Sequence, residues 1–174
     1  SETYEFFLKD VLRDMTQKAG QKCTAIRRVL VPAPVADRVR DDLIARLEKI
    51  VVGNPAHDGV RMGPLATADQ LRDVRTGIEL LAKDGRLVFG SAAVTPLGAP
   101  EGKGFFVWPV LIEVEPGAEA SSVHSHEVFG PLATIVPYSG QAADAVELVS
   151  RGRGGLVSSL YSEDVAFVGE LALG

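Results

Sequence analysis

Apolar positions recur every three or four residues near the start of the chain. Tyr4, Phe7, Leu8, Val11, Leu12 and Met15 form one stripe, which predicts an amphipathic helix over residues 2–18. Gly20 then stands where a helix end takes a left-handed residue. The β-branched run over residues 26–31 reads as a buried strand. Pro34 suits the first turn of a second helix, whose face is Val35, Val39, Leu43, Leu47 and Ile50. Gly53-Asn54-Pro55 ends it. Thr67 and Gln70 have capping-box spacing ahead of a third stripe, Leu71, Val74, Ile78 and Leu81. Gly85 closes that helix, and residues 86–89 form a short strand. Glycines and prolines between residues 90 and 104 mark a loop. Residues 105–114 are β-rich but broken by Pro109, which predicts two short strands or one kinked edge strand. Residues 115–130 read as a loop and residues 132–136 as a strand. Ser139 is placed to cap a helix using Ala142, Ala145, Val146 and Val149, and glycines at 152–155 break it. Residues 156–161 read as the last strand, and Ser162 as the cap of a final helix through Phe167 and Leu171.

Helices and strands alternate for most of the length. That order predicts an α/β fold with a mostly parallel sheet and helices on both faces. No linker or repeat divides the chain. A dinucleotide fingerprint needs glycines after a strand and before a helix. Gly152-Arg153-Gly154 is instead followed by a predicted strand, and there is no P-loop. A self-contained nucleotide-binding fold is therefore not expected.

Composition narrows the function. The chain has 174 residues, 24% charged and 46% hydrophobic, with a net charge of −5. That length can bury one core. The negative balance argues against a nucleic-acid partner. No apolar run is long enough to span a bilayer, and the acidic start, Ser1-Glu2-Thr3-Tyr4, has no signal-peptide pattern. The single cysteine, Cys23, excludes an intrachain disulfide and suits a reducing cytoplasm.

Cys23 falls at the predicted helix-to-strand junction, where a turn can present a side chain to a cleft. Its thiolate would be the nucleophile, favoured by positive charge nearby; Lys22, Arg27 and Arg28 are the candidates. A lone cysteine is otherwise a small buried hydrophobe. His124-Ser125-His126-Glu127, with His57, invites comparison with a zinc site, but no second dense ligand group supports it, and no metal is expected. Cysteine-hydrolase chemistry would need His124 or His126 beside Cys23, with an orienting partner.

Two motifs carry a family resemblance. Gly20-Gln21-Lys22-Cys23-Thr24-Ala25 resembles the nucleophile motif of the aldehyde dehydrogenase superfamily. Glu127-Val128-Phe129-Gly130-Pro131 resembles its E-x-F-G-P segment. Val52-Gly53-Asn54-Pro55 with Met62-Gly63-Pro64-Leu65 falls in the same family order. So does Gly104-Phe105-Phe106-Val107-Trp108-Pro109-Val110-Leu111, with Val110 in place of the usual threonine. Residues 17–31 most resemble the dehydrogenase half of the bifunctional phenylacetate-degradation proteins, which oxidise a CoA-linked semialdehyde.

The resemblance implies NAD or NADP as cofactor and an aldehyde as substrate. It implies Cys23 as catalytic nucleophile, Glu127 on the ribose at the nicotinamide side, and Phe129 beside the nicotinamide. In that family the general-base glutamate, an oxyanion-binding asparagine, the dinucleotide-binding domain and the oligomerisation segment lie outside the stretch matched here. Residues 1–174 are accordingly expected to be a catalytic domain cut at both ends. The expected partners are the cofactor-binding domain of the same protein and, for the parent, further copies of itself. The isolated stretch is expected to be inactive. A non-catalytic scaffold that kept the fold is the alternative.

Overall fold

The computed structural model describes residues 1–174. In chain order its elements are α1 (Glu2–Thr16), β1 (Arg28–Pro32), α2 (Ala36–Leu47), α3 (Ala68–Leu81), β2 (Arg86–Phe89), β3 (Val110–Glu113), α4 (Ser121–Ser125), β4 (Leu132–Tyr138), α5 (Ala142–Ser150) and α6 (Val165–Leu173). The strands make one sheet in the order β1-β4-β3-β2. β4 runs parallel to both β1 and β3, with Arg28 opposite Thr134 and Val110 opposite Leu132. β2 is the antiparallel edge. The expected α/β fold with a mostly parallel sheet is the observed one.

The two-residue period of the strands builds two cores, one on each face. Ala133 and Ile135 of β4, Leu111 of β3, and Val29 and Val31 of β1 face a core completed by Leu8, Val11 and Met15 of α1 and by Val39, Leu43 and Leu47 of α2. Leu132 and Val136 of β4 and Val110 and Ile112 of β3 face the opposite core, with Val74, Ile78 and Leu81 of α3 and Val123 of α4. Each fully buried leucine or isoleucine contributes about 1.5–3 kcal/mol. Both faces are therefore needed to hold strands this short. No helix is long and apolar enough to cross a membrane.

Several local expectations need correction. α1 stops at Thr16, and residues 17–20 form a tight turn in which Lys18, Ala19 and Gly20 all have positive φ. Residues 105–109 are not a strand. Pro109 has no N–H for a ladder, and pairing begins at Val110. Residues 156–161 are not a strand either. They share a cleft with the open edge of β1 but do not pair with it, and Leu156 is 73% exposed. Tyr161 anchors this stretch by donating to Asp10 at 2.7 Å. Thr67 caps α3 as expected, accepting from Gln70 N–H at 3.2 Å, but the Gln70 side chain does not return the bond. Ser139 precedes the true N-cap, Gln141, and Asp164, not Ser162, caps α6. α4 lies inside the expected 115–130 loop. Its start is capped from far away: Asp84 accepts from Ser122 N–H at 2.6 Å and Val123 N–H at 3.2 Å.

Candidate functional site

β1 and β4 are parallel neighbours, so the segments that lead into them arrive side by side. One carries Cys23 and the other residues 127–131. They meet backbone to backbone. A Cβ on Gly20 would overlap the Gly130 carbonyl and lie 2.8 Å from Pro131 N. Gly20 also has φ +71°, which a residue with a side chain rarely adopts. α3 supports this contact from behind. Val128 is buried against Gly77, and Val74 occupies the space beside Gly130.

Side chains fasten the two segments together. The Arg27 guanidinium donates to Gly20 O at 2.9 Å and Lys22 O at 3.2 Å in the cysteine loop. It also donates to Gly130 O at 2.9 Å and to Glu127 Oε1 at 3.4 Å in the other segment. Its charge lies 5.4 Å from the centre of the Phe129 ring, within cation–π range. Its backbone carbonyl accepts Thr134 N–H of β4 at 2.9 Å. Burial pulls the Arg27 pKa down from its ordinary value, and Glu127 opposes that. Gln21 adds a second bridge, donating to Phe129 O at 3.4 Å and accepting from Ala66 N–H at 3.1 Å.

Cys23 is exposed on the turn between these anchors. Its backbone N–H makes no hydrogen bond, so it remains a free donor beside the sulfur. The Glu127 side chain is 58% exposed and Phe129 is 40% exposed. A cleft of about 910 Å³ runs along the outer edge of β1, and Cys23, Glu127 and Phe129 all line it. Phe129 also walls a smaller pocket of about 410 Å³ with Gln21 and Gln70, and the buried Gln70 Oε1 there has no partner. In sequence, Gln70 is recognisable only as a capping residue. Its spacing from Thr67 gave no sign of the pocket.

Two of the three cations near Cys23 are engaged elsewhere. Lys22 reaches Asp14 at 2.9 Å and Gln17 at 3.2 Å. Arg28 donates to Leu148 O at 2.6 Å, Val149 O at 3.2 Å and His124 Nδ1 at 2.9 Å. The histidines form no metal cluster, and none is present anywhere in the chain. His124 is 7% exposed. A guanidinium can only donate, so His124 accepts at Nδ1 and carries its proton on Nε2, which has no partner. That removes His124 as a base for Cys23. His57 faces the carbonyl of Asp58.

The structure thus sets a solvent-facing cysteine on a tight loop along one cleft with a glutamate and an aromatic ring. The aldehyde dehydrogenase family matches residues 5–172. The chain belongs to that family. It is 43% identical over 172 residues to 3,4-dehydroadipyl-CoA semialdehyde dehydrogenase of Aromatoleum evansii, an alignment covering 98% of this chain and 33% of that protein. It is 32% identical over 149 residues to hydroxyisobutyraldehyde dehydrogenase of Mycolicibacterium austroafricanum, covering 85% and 28%. The structure superposes on 1-pyrroline-5-carboxylate dehydrogenase from Thermus with bound NAD at a TM-score of 0.79 and 27% identity, covering 95% of this chain and 30% of that one. The fold also matches betaine aldehyde dehydrogenase of Staphylococcus aureus in complex with NAD+, at a TM-score of 0.83 and 24% identity, covering 98% and 34%. The chain thus spans about a third of the length of these relatives.

Two predictions follow from the geometry. Gly20→Ala forces a strained φ and a collision with Gly130, and is expected to cost about 1–3 kcal/mol. Chemical denaturation measures that cost, and amide exchange should rise at residues 127–132 as well as at 20–25; unchanged exchange at 127–132 would show that the contact does not hold that segment. Burial, then Arg28 and Arg151, hold the His124 pKa below its ordinary value, with Asp84 opposing. The unfolded chain then binds the proton more readily. Stability from this group is present above about pH 6.5 and is lost as pH falls below it. Urea unfolding at a series of pH values should show that loss, and His124→Gln should flatten it. An unaltered slope in the variant would exclude His124 as the cause.

Proposed function

We propose that this chain is the nucleophile-bearing domain of an NAD(P)-dependent aldehyde dehydrogenase. The observation that carries the reading is the docking of the Cys23 loop onto residues 127–130 beside one cleft. The cofactor-binding domain is assigned to another part of the same protein. The substrate is assigned to the CoA-linked semialdehydes of aromatic catabolism, the phenylacetate route included. The 43% identity to a CoA-semialdehyde dehydrogenase supports that choice.

The site residues fit the cofactor's nicotinamide end. Glu127 keeps one carboxylate oxygen free of Arg27, enough to accept from a ribose hydroxyl. The partly exposed Phe129 ring offers an apolar face to a nicotinamide. When bound, NAD(P)+ accepts the hydride. The remaining steps fall to the protein. The Cys23 thiolate attacks the aldehyde carbon and forms a thiohemiacetal. Its oxyanion is received by the free Cys23 N–H, a preorganised donor. Loss of hydride from that carbon leaves a thioester on Cys23. Water then cleaves the thioester, releasing the carboxylic acid and the thiol. A base must activate that water. The family resemblance puts that base outside the matched stretch, so this role is assigned to a residue outside the 174.

The test uses the full-length protein that contains this chain. NAD(P)H production with a CoA-linked semialdehyde is expected, and Cys23→Ala should lower kcat by about a thousandfold or more. The 174 residues alone should produce none. A Cys23→Ala enzyme with near-normal turnover would overturn the reading, and turnover by the isolated chain would overturn the assignment of the base and cofactor domain to other segments.

A further inference from the structure

We propose that Arg27 is a positioning residue that sets the separation between the nucleophile and the nicotinamide-side pair before either ligand arrives. The inference deepens the proposed dehydrogenase reading and rests on it. Three observations converge. Two Arg27 bonds hold the cysteine loop, through Gly20 O and Lys22 O. Two hold the partner segment, through Gly130 O and Glu127 Oε1. The charge also faces the Phe129 ring. One side chain thus contacts the loop that carries the sulfur, the carboxylate and the aromatic face. The backbone carbonyl of the same residue also accepts from Thr134 N–H within β4.

The chemistry requires arginine. A guanidinium presents rigid, planar donors in several directions at once, and it stacks on an aromatic face. A lysine ammonium is a single point of charge. Its three donors sit on one nitrogen, so it cannot span the partners that Arg27 reaches through Nε, Nη1 and Nη2. Arg27 forms no hydrogen bond to Cys23, so it acts through the loop and not on the sulfur. Its predicted effect is on geometry. Attack on the aldehyde and hydride departure both need near-attack alignment, and a misplacement of about 1 Å can cost about a hundredfold.

The experiment compares wild type, Arg27→Lys and Arg27→Met in the full-length enzyme. Arg27→Lys should lower kcat about a hundredfold and raise KM for NAD(P)+, with KM for the aldehyde changing less. Amide exchange should rise together at residues 20–25 and 127–131, which are a hundred residues apart in sequence. Arg27→Met should do both more strongly. Wild-type kcat and cofactor KM in Arg27→Lys would overturn the proposal, and so would increased exchange confined to one segment. If wild type makes no NAD(P)H, the dehydrogenase reading fails, and the exchange arm alone still decides whether Arg27 joins the segments. If the variants do not fold, native-state exchange of wild type in low urea decides the matter. The two segments opening as one unit supports Arg27 as the fastener, and opening at separate denaturant concentrations overturns it.

Discussion

Gly20 lies against the Gly130 carbonyl with no room for a side chain between them, and the placement of the site follows from that contact. The contact comes at the end of three consecutive residues with positive φ, two of which are not glycine. Such a turn is held only when its surroundings over-determine it. Here the surroundings are Arg27, Gln21 and the α3 face formed by Val74 and Gly77. The strained turn in return brings Cys23 beside Glu127 and Phe129. Strain, clamp and exposed thiol are one arrangement.

The position of the site in the sheet is also informative. Open α/β sheets commonly place ligands outside the carboxyl ends of their strands. Cys23 and residues 127–130 instead lie just before the amino ends of β1 and β4. Adjacent parallel strands bring their incoming segments together as surely as their outgoing ones. Two short motifs, about a hundred residues apart, become neighbours for that reason alone. The rest of the fold supports the same geometry: α1 and α2 fill one face, α3 and α4 the other, and the parallel register between Arg28 and Thr134 fixes how far each segment enters.

Much of this was legible in the sequence. The stripes of α1, α2 and α3 are strongly periodic, and all three helices form, although α1 ends at Thr16 and α2 leaves out Val35 and Ile50. The alternation of elements correctly implied a mostly parallel sheet. The failures have physical causes. Residues 156–161 have strand composition, but a strand also needs a ladder, and they share a cleft with the open edge of β1 without pairing to it. α4 is five residues long and is capped by Asp84 from another part of the chain, so no local pattern announced it. Cys23, Glu127 and Phe129 were singled out from motifs, and all three line one cleft. The roles of the cations were not legible, because charge near a cysteine in sequence does not fix direction. Lys22 turns back to Asp14, Arg28 turns to His124 and α5, and Arg27 turns to the loops. Gln70 is predictable from the sequence only as a capping residue, because the pocket it lines with Phe129 joins segments far apart in the chain.

Direct capture of the covalent intermediate tests the central claim, that Cys23 carries the substrate. Trypsin cuts after Lys22 and after Arg27, so the peptide Cys23-Thr24-Ala25-Ile26-Arg27 isolates the thiol. The full-length protein would be mixed with aldehyde and NAD(P)+, quenched in acid within the first turnover, digested and weighed by mass spectrometry. The account predicts an acyl group on this peptide, formed only when aldehyde and oxidised cofactor are both present. An unmodified peptide during active turnover, or an acyl group on another residue, would contradict it.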